Sequence, residues 1–330
     1  MIEIVAQSEA MREALRLAGR VAATNANVLV TGESGAGKDA IALFIHAMSP
    51  RALGPFVKID CAALPNELLE AELFGFERGA FTGATQAKPG RLEASHKGTL
   101  VLDEIAHLST DAQAKLLRVI ERREFERLGG RRTVRVDARL VALTNVDLEG
   151  AVKRRAFRED LFYRLNVVRI RVPPLRERRE DVEPLARKFL ESYAAKHGRP
   201  AAAFAPEALN VLGRYEFPGN VRELANVVER AVIVSDALRI GEKDLPEAVR
   251  TAAALQARSN RRPTLSELEA DYVRETLDAA GGNKSEAARL LGISRKNLYE
   301  KLARYEKEAG GHRSEAGESG GASVEQADEV

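Results

Sequence analysis

Residues 1–172 predict an α/β domain on a parallel sheet, and the rest of the chain predicts helices. Three observations carry this. Short apolar runs alternate with amphipathic stretches, a pattern that gives parallel strands covered on both faces. The first apolar run leads into the glycine-rich Gly32–Lys38, which in turn opens a helical stretch. Pro173-Pro174 then ends the alternation.

Taken in order, Met11–Ala22, Asp39–Met48 and Asp111–Glu121 read as helices. Val28–Val30, Phe56–Ile59, Thr99–Leu102 and Arg139–Leu143 read as buried strands. A second unit over residues 173–250 reads as wholly helical from Asp181 to about Arg250, with stops at His197-Gly198, Pro206 and Pro218-Gly219. The polar, Ala-rich residues 251–263 predict a linker. Residues 264–307 predict a compact helical unit. Residues 308–330, mostly Gly, Ser, Ala and Glu, cannot offset their ordering entropy and predict a disordered tail.

Composition narrows the classes. The 330 residues are 45% hydrophobic and 30% charged, as expected of a soluble globular protein, with a net charge of only +2, so any nucleic-acid contact needs a local basic surface. No run approaches the roughly 18 apolar residues of a membrane helix. The N-terminus lacks a signal-peptide plan, and the single cysteine, Cys61, cannot form an internal disulfide. A cytoplasmic protein without membrane contact is expected.

Gly32-Glu33-Ser34-Gly35-Ala36-Gly37-Lys38 follows a strand and begins a helix. Its glycines let backbone N–H groups face a phosphate, the helix N-terminus adds partial positive charge, and Lys38 would reach the β- and γ-phosphates of ATP. A surface turn is the bland alternative. Asp39 stands where Ser or Thr usually ligates Mg²⁺. Thr99-Leu100-Val101-Leu102 ends in Asp103, placed for the metal, and Glu104, placed to polarise an attacking water. Asn145, after Thr144, ends the next strand and would supply polar groups near the γ-phosphate, or merely a strand-end turn. Arg158 and Arg164 sit in an arginine-rich stretch. Arginine suits a transferring phosphoryl group, but a solvated basic face fits most of these side chains equally well.

Together, GESGAGKD (32–39), ELFGFERGAFTGA (72–84), GTLVLDEI (98–105), FREDLFYRLNV (157–167) and FPGNVREL (217–224) resemble one family, the bacterial enhancer-binding proteins, AAA+ activators of sigma-54 RNA polymerase. The resemblance spans Val5 to about Tyr305 and implies an AAA+ P-loop fold with a helical lid over residues 173–250. Gly79-Ala80-Phe81-Thr82-Gly83-Ala84 is its most specific run. Without the family, this reads as a glycine-flanked surface loop with a phenylalanine at its tip. The resemblance makes it the contact to sigma-54, driven by ATP turnover. It also implies that Arg158 and Arg164 reach a neighbouring subunit's ATP, that Arg222 senses nucleotide from the lid, and that an acidic residue at position 39 is normal. Mg²⁺ would then be held by phosphates, water and Asp103. Three departures stand out: Ala36 for a common Thr, Phe217 for a common Trp, and Asp60 where many members carry the Asn that holds the catalytic glutamate. An Asp60 carboxylate would repel Glu104 unless protonated or bridged, which tunes that switch differently.

At the C-terminal end, Thr264-Leu265-Ser266-Glu267 reads as a capping box for a helix to about Ala279 with Leu268, Tyr272 and Leu277 apolar. Gly281-Gly282 ends it, Asn283 caps Lys284–Leu291, Gly292 turns the chain, and Ser294 caps a third helix to about Tyr305. This is a helix-turn-helix pattern, or on pattern alone a plain three-helix bundle, and it is similar to the Fis-like module of the same activators. Phosphate contacts fall to Lys284 and Lys301 and base reading to Arg295, Lys296 and Asn297, with Ser294 and Tyr299 on the same surface.

The expected protein is a DNA-binding ATPase that sits on enhancer-like sites as dimers, assembles into a ring (usually a hexamer), and opens sigma-54 closed complexes. Because the ATPase match begins within the first ten positions, no receiver domain is expected in this chain. Regulation would come from a separate protein, unless the chain is a fragment. A DNA-bound repressor with a nucleotide-sensing scaffold, and a generic AAA+ remodeller, are the alternatives. The intact Gly79–Ala84 run with Asp103-Glu104 opposes the first, and the helix-turn-helix opposes the second.

Overall fold

The computed structural model describes residues 4–199, 203–260 and 265–314, and the chain divides into two compact units, Met1–Ala254 and Leu255–Val330. The first unit is built on five parallel strands: β1 (Val28–Thr31), β2 (Phe56–Asp60), β3 (Thr99–Asp103), β4 (Arg139–Thr144) and β5 (Val168–Arg171), in the order β2-β3-β4-β1-β5. The four expected strands all form. The fifth, Val168-Arg169-Ile170-Arg171, escaped because its arginines break the apolar run, and the end of the sheet tolerates them: only Ile170 is buried. The opposite edge strand β2 likewise turns Lys58 and Asp60 outward and buries Ile59 alone.

The central strands are apolar because both faces are covered. Val28, Val30, Val101, Val141 and Leu143 pack against α1 (Glu9–Ala22) and α2 (Lys38–Ala47), and Leu29, Leu100, Leu102 and Ala142 pack against the other helical layer. Each such Val or Leu contributes roughly 1.5–3 kcal/mol by leaving water. Arg139 is fully buried at the start of β4 and donates to the carbonyls of Ala22 (2.9 Å) and Val21 (2.8 Å) at the end of α1, where unpaired carbonyls favour a cation. Register aligns Asp60 with Asp103 and Thr31 with Thr144. The phosphate loop, Asp103-Glu104 and Asn145 therefore all leave the sheet at its carboxyl edge, where open α/β sheets bind ligands.

The helical part of this unit packs Val182–His197, Pro206–Arg214 and Asn220–Val234 around Leu190, Leu212, Phe217, Leu224 and Val228. Phe217 is fully buried and meets the Tyr215 ring edge-on at 4.9 Å, so its exchange for Trp is accommodated by packing. Two corrections apply. The region is not wholly helical, because Ala203–Phe204 pairs in parallel with Arg239–Ile240. The predicted linker is helical over most of its length, since Glu247–Asn260 is a helix whose alanines favour it. Residues 261–263 lie outside the described residues.

In the second unit, helices Leu265–Ala279, Lys284–Leu290 and Arg295–Ser314 enclose Ala270, Val273, Ala287, Ala288, Leu298 and Tyr305. Asn283 caps as expected, its Oδ1 accepting from the N–H groups of Ser285 and Glu286, and Ser294 Oγ accepts from Asn297 N–H. The expected apolar stripe is corrected in part: Leu277 packs against the core, but Leu268 and Tyr272 stand 51% and 62% exposed, and the core uses Ala270 and Val273 instead. The third helix continues to Ser314, beyond the expected end at about Tyr305. Thr264 of the capping box, and residues 315–330 of the expected tail, lie outside the described residues.

Candidate functional site

The phosphate loop wraps as its glycines predict. Gly35 and Gly37 adopt φ of +73° and +102°, and a Cβ on Gly35 would meet the Gly219 carbonyl oxygen at 2.4 Å, so backbone from the helical subdomain lies directly against the loop. Lys38 is buried, and its ammonium donates to the carbonyls of Gly32 (2.9 Å) and Glu33 (3.2 Å) and lies 3.6 Å from Glu104 Oε1. Ala36 is buried too, and its carbonyl accepts from the buried Arg178 guanidinium, so the missing threonine hydroxyl leaves the backbone cradle intact.

Glu104 holds φ 50° and ψ 50°, a left-handed conformation uncommon outside glycine. Its other oxygen accepts from the N–H of Asn145 at 3.2 Å. The expected Asn145 contribution is thus made by its backbone to the carboxylate, and Asp60 accepts from Ala62 N–H at 2.9 Å. Cys61, buried beside this cluster, has its thiol pushed up to about 12 by burial, then by the carboxylates of Asp60, Asp103 and Glu104, so it stays protonated.

A cation not anticipated from sequence sits between the two aspartates. Lys58 Nζ, from β2, is 2.5 Å from Asp39 Oδ1 and 2.7 Å from Asp103 Oδ2. Burial works to lower its pKa, but the hydrogen bonds and charges of Asp103 and Asp39 outweigh this and hold the ammonium above its usual value. The site suits Mg²⁺: two carboxylates already converge on one cation, and Mg²⁺ usually takes one or two carboxylates plus phosphate oxygens and water. Among the described residues no cluster of three or more His, Cys, Asp or Glu side chains forms an all-protein metal cage.

The helical subdomain closes the cleft, which Ser34, Lys38, Asp103, Phe189, Val221 and Arg222 line. Arg222 donates to Ser34 Oγ at 3.0 Å, which brings the helical subdomain's arginine against the phosphate loop. The larger share of this contact was missed. Asn220, buried with φ 55°, donates to Ser34 O (3.0 Å) and Glu33 Oε2 (3.1 Å) and accepts from Leu175 N–H (2.8 Å). Arg176 clamps both Glu33 oxygens, at 2.5 and 2.7 Å, and these partners, Arg176 first and then Asn220, hold the Glu33 pKa down at about 2. An Asn after Pro-Gly reads as an ordinary helix start, so only its left-handed φ identifies its role.

Gly79–Ala84 forms a tight turn, closed by Gly79 N–H to Ala84 O (2.8 Å) and Ala84 N–H to Phe81 O (3.0 Å). Thr82 is exposed, and Phe81, 41% exposed, also meets the Phe76 ring edge-on at 5.0 Å, so the tip phenylalanine has a partner inside the chain. A hairpin, Glu124–Glu126 with Thr133–Arg135, supports the turn. Gly129 (φ +70°) approaches so closely that a Cβ there would be 2.9 Å from Ala80 Cα. Arg127 ties the same hairpin to Glu77 and Glu93.

Arg158 caps its helix with an exposed side chain paired to Asp160 (2.7 Å), and exposed Arg164 lies 3.4 Å from Glu121. Neither borders the cleft of its own chain. In the second unit Arg295, Lys296 and Asn297 are exposed at the start of the third helix, as expected. Lys284 stands 4.8 Å over the Tyr299 ring. Lys301 departs from expectation: its ammonium is 2.6 Å from Glu269 on the first helix, so it braces the fold rather than standing free for phosphate.

With this geometry in hand, comparison with known proteins is specific. Residues 4–171 match the Sigma-54 interaction domain, 176–262 the AAA+ ATPase lid domain, and 264–305 the Fis family of bacterial regulatory proteins. The chain is similar to the regulatory protein AtoC of Escherichia coli K12, 44% identical over 310 residues that cover 92% of this chain and 67% of AtoC. It is 47% identical over 304 residues to the transcriptional regulatory protein ZraR of Klebsiella oxytoca, covering 91% and 68%. NtrX from Brucella abortus in complex with ATP superposes with a TM-score of 0.70 at 37% identity, covering 92% of this chain and 69% of that one. This chain thus spans about two thirds of each of these relatives.

Proposed function

The chain belongs to the sigma-54 activator family, an AAA+ ATPase followed by a Fis-type DNA-binding domain, and from this premise we propose that it couples ATP hydrolysis to opening of sigma-54 RNA polymerase closed complexes at promoters. One observation carries the proposal. Lys58, whose ammonium meets Asp39 and Asp103 of the cleft, lines with Asp60, Phe76 and the turn residue Phe81 a single groove of about 640 Å³, so movement at the nucleotide adjoins the Gly79–Ala84 turn.

In this reading Lys38 neutralises the β- and γ-phosphates and Glu104 orients and deprotonates the attacking water. Arg222 and Asn220 hold the lid against the loop. Asp103, with Asp39, would hold Mg²⁺, which would supply charge neutralisation. Arg158 and Arg164, exposed and remote from their own cleft, complete a neighbour's site, which makes the working form a ring, a hexamer in the usual arrangement. Exposed Leu268 and Tyr272 offer the second unit an apolar face for a dimer partner on DNA. Arg295, Lys296 and Asn297 enter the major groove, with Lys284, Ser294 and Tyr299 beside them. Acting on chromosomal DNA implies the cytoplasm, and among the described residues no helix is long and apolar enough to cross a membrane. A separate regulatory protein is compatible with this arrangement.

The test is open-complex formation on a sigma-54 promoter with purified polymerase. The natural chain with ATP should open it, and Thr82→Ala should hydrolyse ATP yet fail. Full activation by Thr82→Ala would refute the loop's role, and normal turnover by Lys38→Ala would refute the ATP site.

A further inference from the structure

The scheme above gives the Lys58 ammonium no chemical role, yet three separate elements deliver it and two carboxylates to one point. Asp39 lies in the first turn of α2, Asp103 ends β3, and Lys58 lies on the edge strand β2. The contacts at 2.5 and 2.7 Å are those of charge-assisted hydrogen bonds. Lys58 takes Asp39 Oδ1 and Asp103 Oδ2, and the other Asp103 oxygen accepts from Glu104 N–H, so a divalent cation entering between the two carboxylates competes with the ammonium for these oxygens and is repelled by its charge.

We propose that Lys58 is a resident cation that holds the metal's place between Asp39 and Asp103, and that the arriving metal–nucleotide displaces it toward Asp60. Side chains alternate along a strand, so Lys58 and Asp60 lie on one face of β2, two residues apart, and both are exposed. Both also line the groove that ends at Phe76 and Phe81, so the exchange of cations moves a charge along the path from nucleotide to loop. The unusual Asp60 then has a physical reason. A neutral Asn would give the displaced ammonium no countercharge, whereas Asp60 accepts it and is itself bridged, which removes its repulsion of Glu104. Lys58 is a positioning residue in this scheme and does not touch the reacting atoms.

The inference rests on the assignment of the metal to Asp103, and the experiment separates the two. Mn²⁺ binding to the nucleotide-free protein is read from loss of the free-ion EPR signal. Lys58→Gln should bind Mn²⁺ about tenfold more tightly than the natural chain, the scale set by one partly exposed ion pair and its hydrogen bonds. Lys58→Arg, which keeps the charge, should stay weak, and Lys88→Gln, which removes another cation of the same groove, should change affinity less than about twofold. Equal affinity in Lys58→Gln, or the same gain in Lys88→Gln, would overturn the proposal. So would a gain that survives Asp103→Asn in the Lys58→Gln background. For the destination, Asp60→Asn should weaken Mn²⁺–ADP binding about threefold in the natural chain and not in Lys58→Gln, a double-mutant coupling; equal effects in both would exclude Asp60. Mn²⁺–ADP binding indifferent to Asp103→Asn in the natural chain would instead refute the metal assignment itself. Metal-free ADP binding, unchanged in each variant, verifies folding.

Discussion

Replacing Asn220 by alanine tests whether the lid is held to the phosphate loop by a side chain with no direct share in chemistry. The perturbation has three parts. Leu175 N–H, whose bond to Asn220 Oδ1 is buried, loses its acceptor, at about 1–3 kcal/mol for an unsatisfied buried donor. The Glu33 and Ser34 acceptors lose partners nearer to solvent, at about 0.5–1 kcal/mol each. Alanine at φ 55° adds about 1 kcal/mol of left-handed strain. The sum is about 3–6 kcal/mol, which for a unit of this size lowers Tm by on the order of 10 °C. Nucleotide affinity should fall as well, because Asn220 fixes the loop backbone at Ser34. Asn220→Gly, free of the Cβ, should recover up to about 1 kcal/mol of the loss. Thermal unfolding followed by circular dichroism, with a fluorescent-nucleotide titration, measures both effects. A Tm within about 2 °C of the natural chain, on the scale of roughly 1 kcal/mol, together with unchanged nucleotide affinity, would refute the reasoning.

Two further predictions address the supporting hairpin and the clamp on the loop. Gly129→Val places a branched side chain at φ +70° against Ala80; it should leave ATP turnover within about twofold, the effect of well under 1 kcal/mol at a remote site, while abolishing sigma-54 binding in a fluorescence-anisotropy assay, and normal binding would exclude the hairpin as a support. Glu33, with its pKa held at about 2 against an ordinary 4.5, is a depressed acid. Its contribution to lid closure is fully present above about pH 4.5, falls as pH drops through that window, and is gone below about 2. Carboxyl ¹³C titration should place its midpoint near 2, and Arg176→Ala should raise it; a midpoint near 4.5 in the natural chain would show that the clamp does not form in solution.

Local period and turn chemistry account for what was legible in the amino-acid sequence. Four strands, the loop at Gly32–Lys38, the Asp103-Glu104 strand end and the three C-terminal helices were legible because apolar alternation, glycine placement and capping residues act within a few positions. The exposed Arg295–Asn297 followed from the same helical period. Contacts between elements distant along the chain emerge only from how those elements pack. Lys58 reads as an ordinary edge-strand lysine until α2 and β3 bring Asp39 and Asp103 to it. Asn220 and Arg176 become partners of Glu33 only when residues more than 140 positions away fold onto the loop. Lys301 looked free for DNA until helix packing brought Glu269 within 2.6 Å. Hydrophobic period reports which face of an element is buried, but which opposite charge it then meets depends on where a remote segment is packed, and no local pattern encodes that.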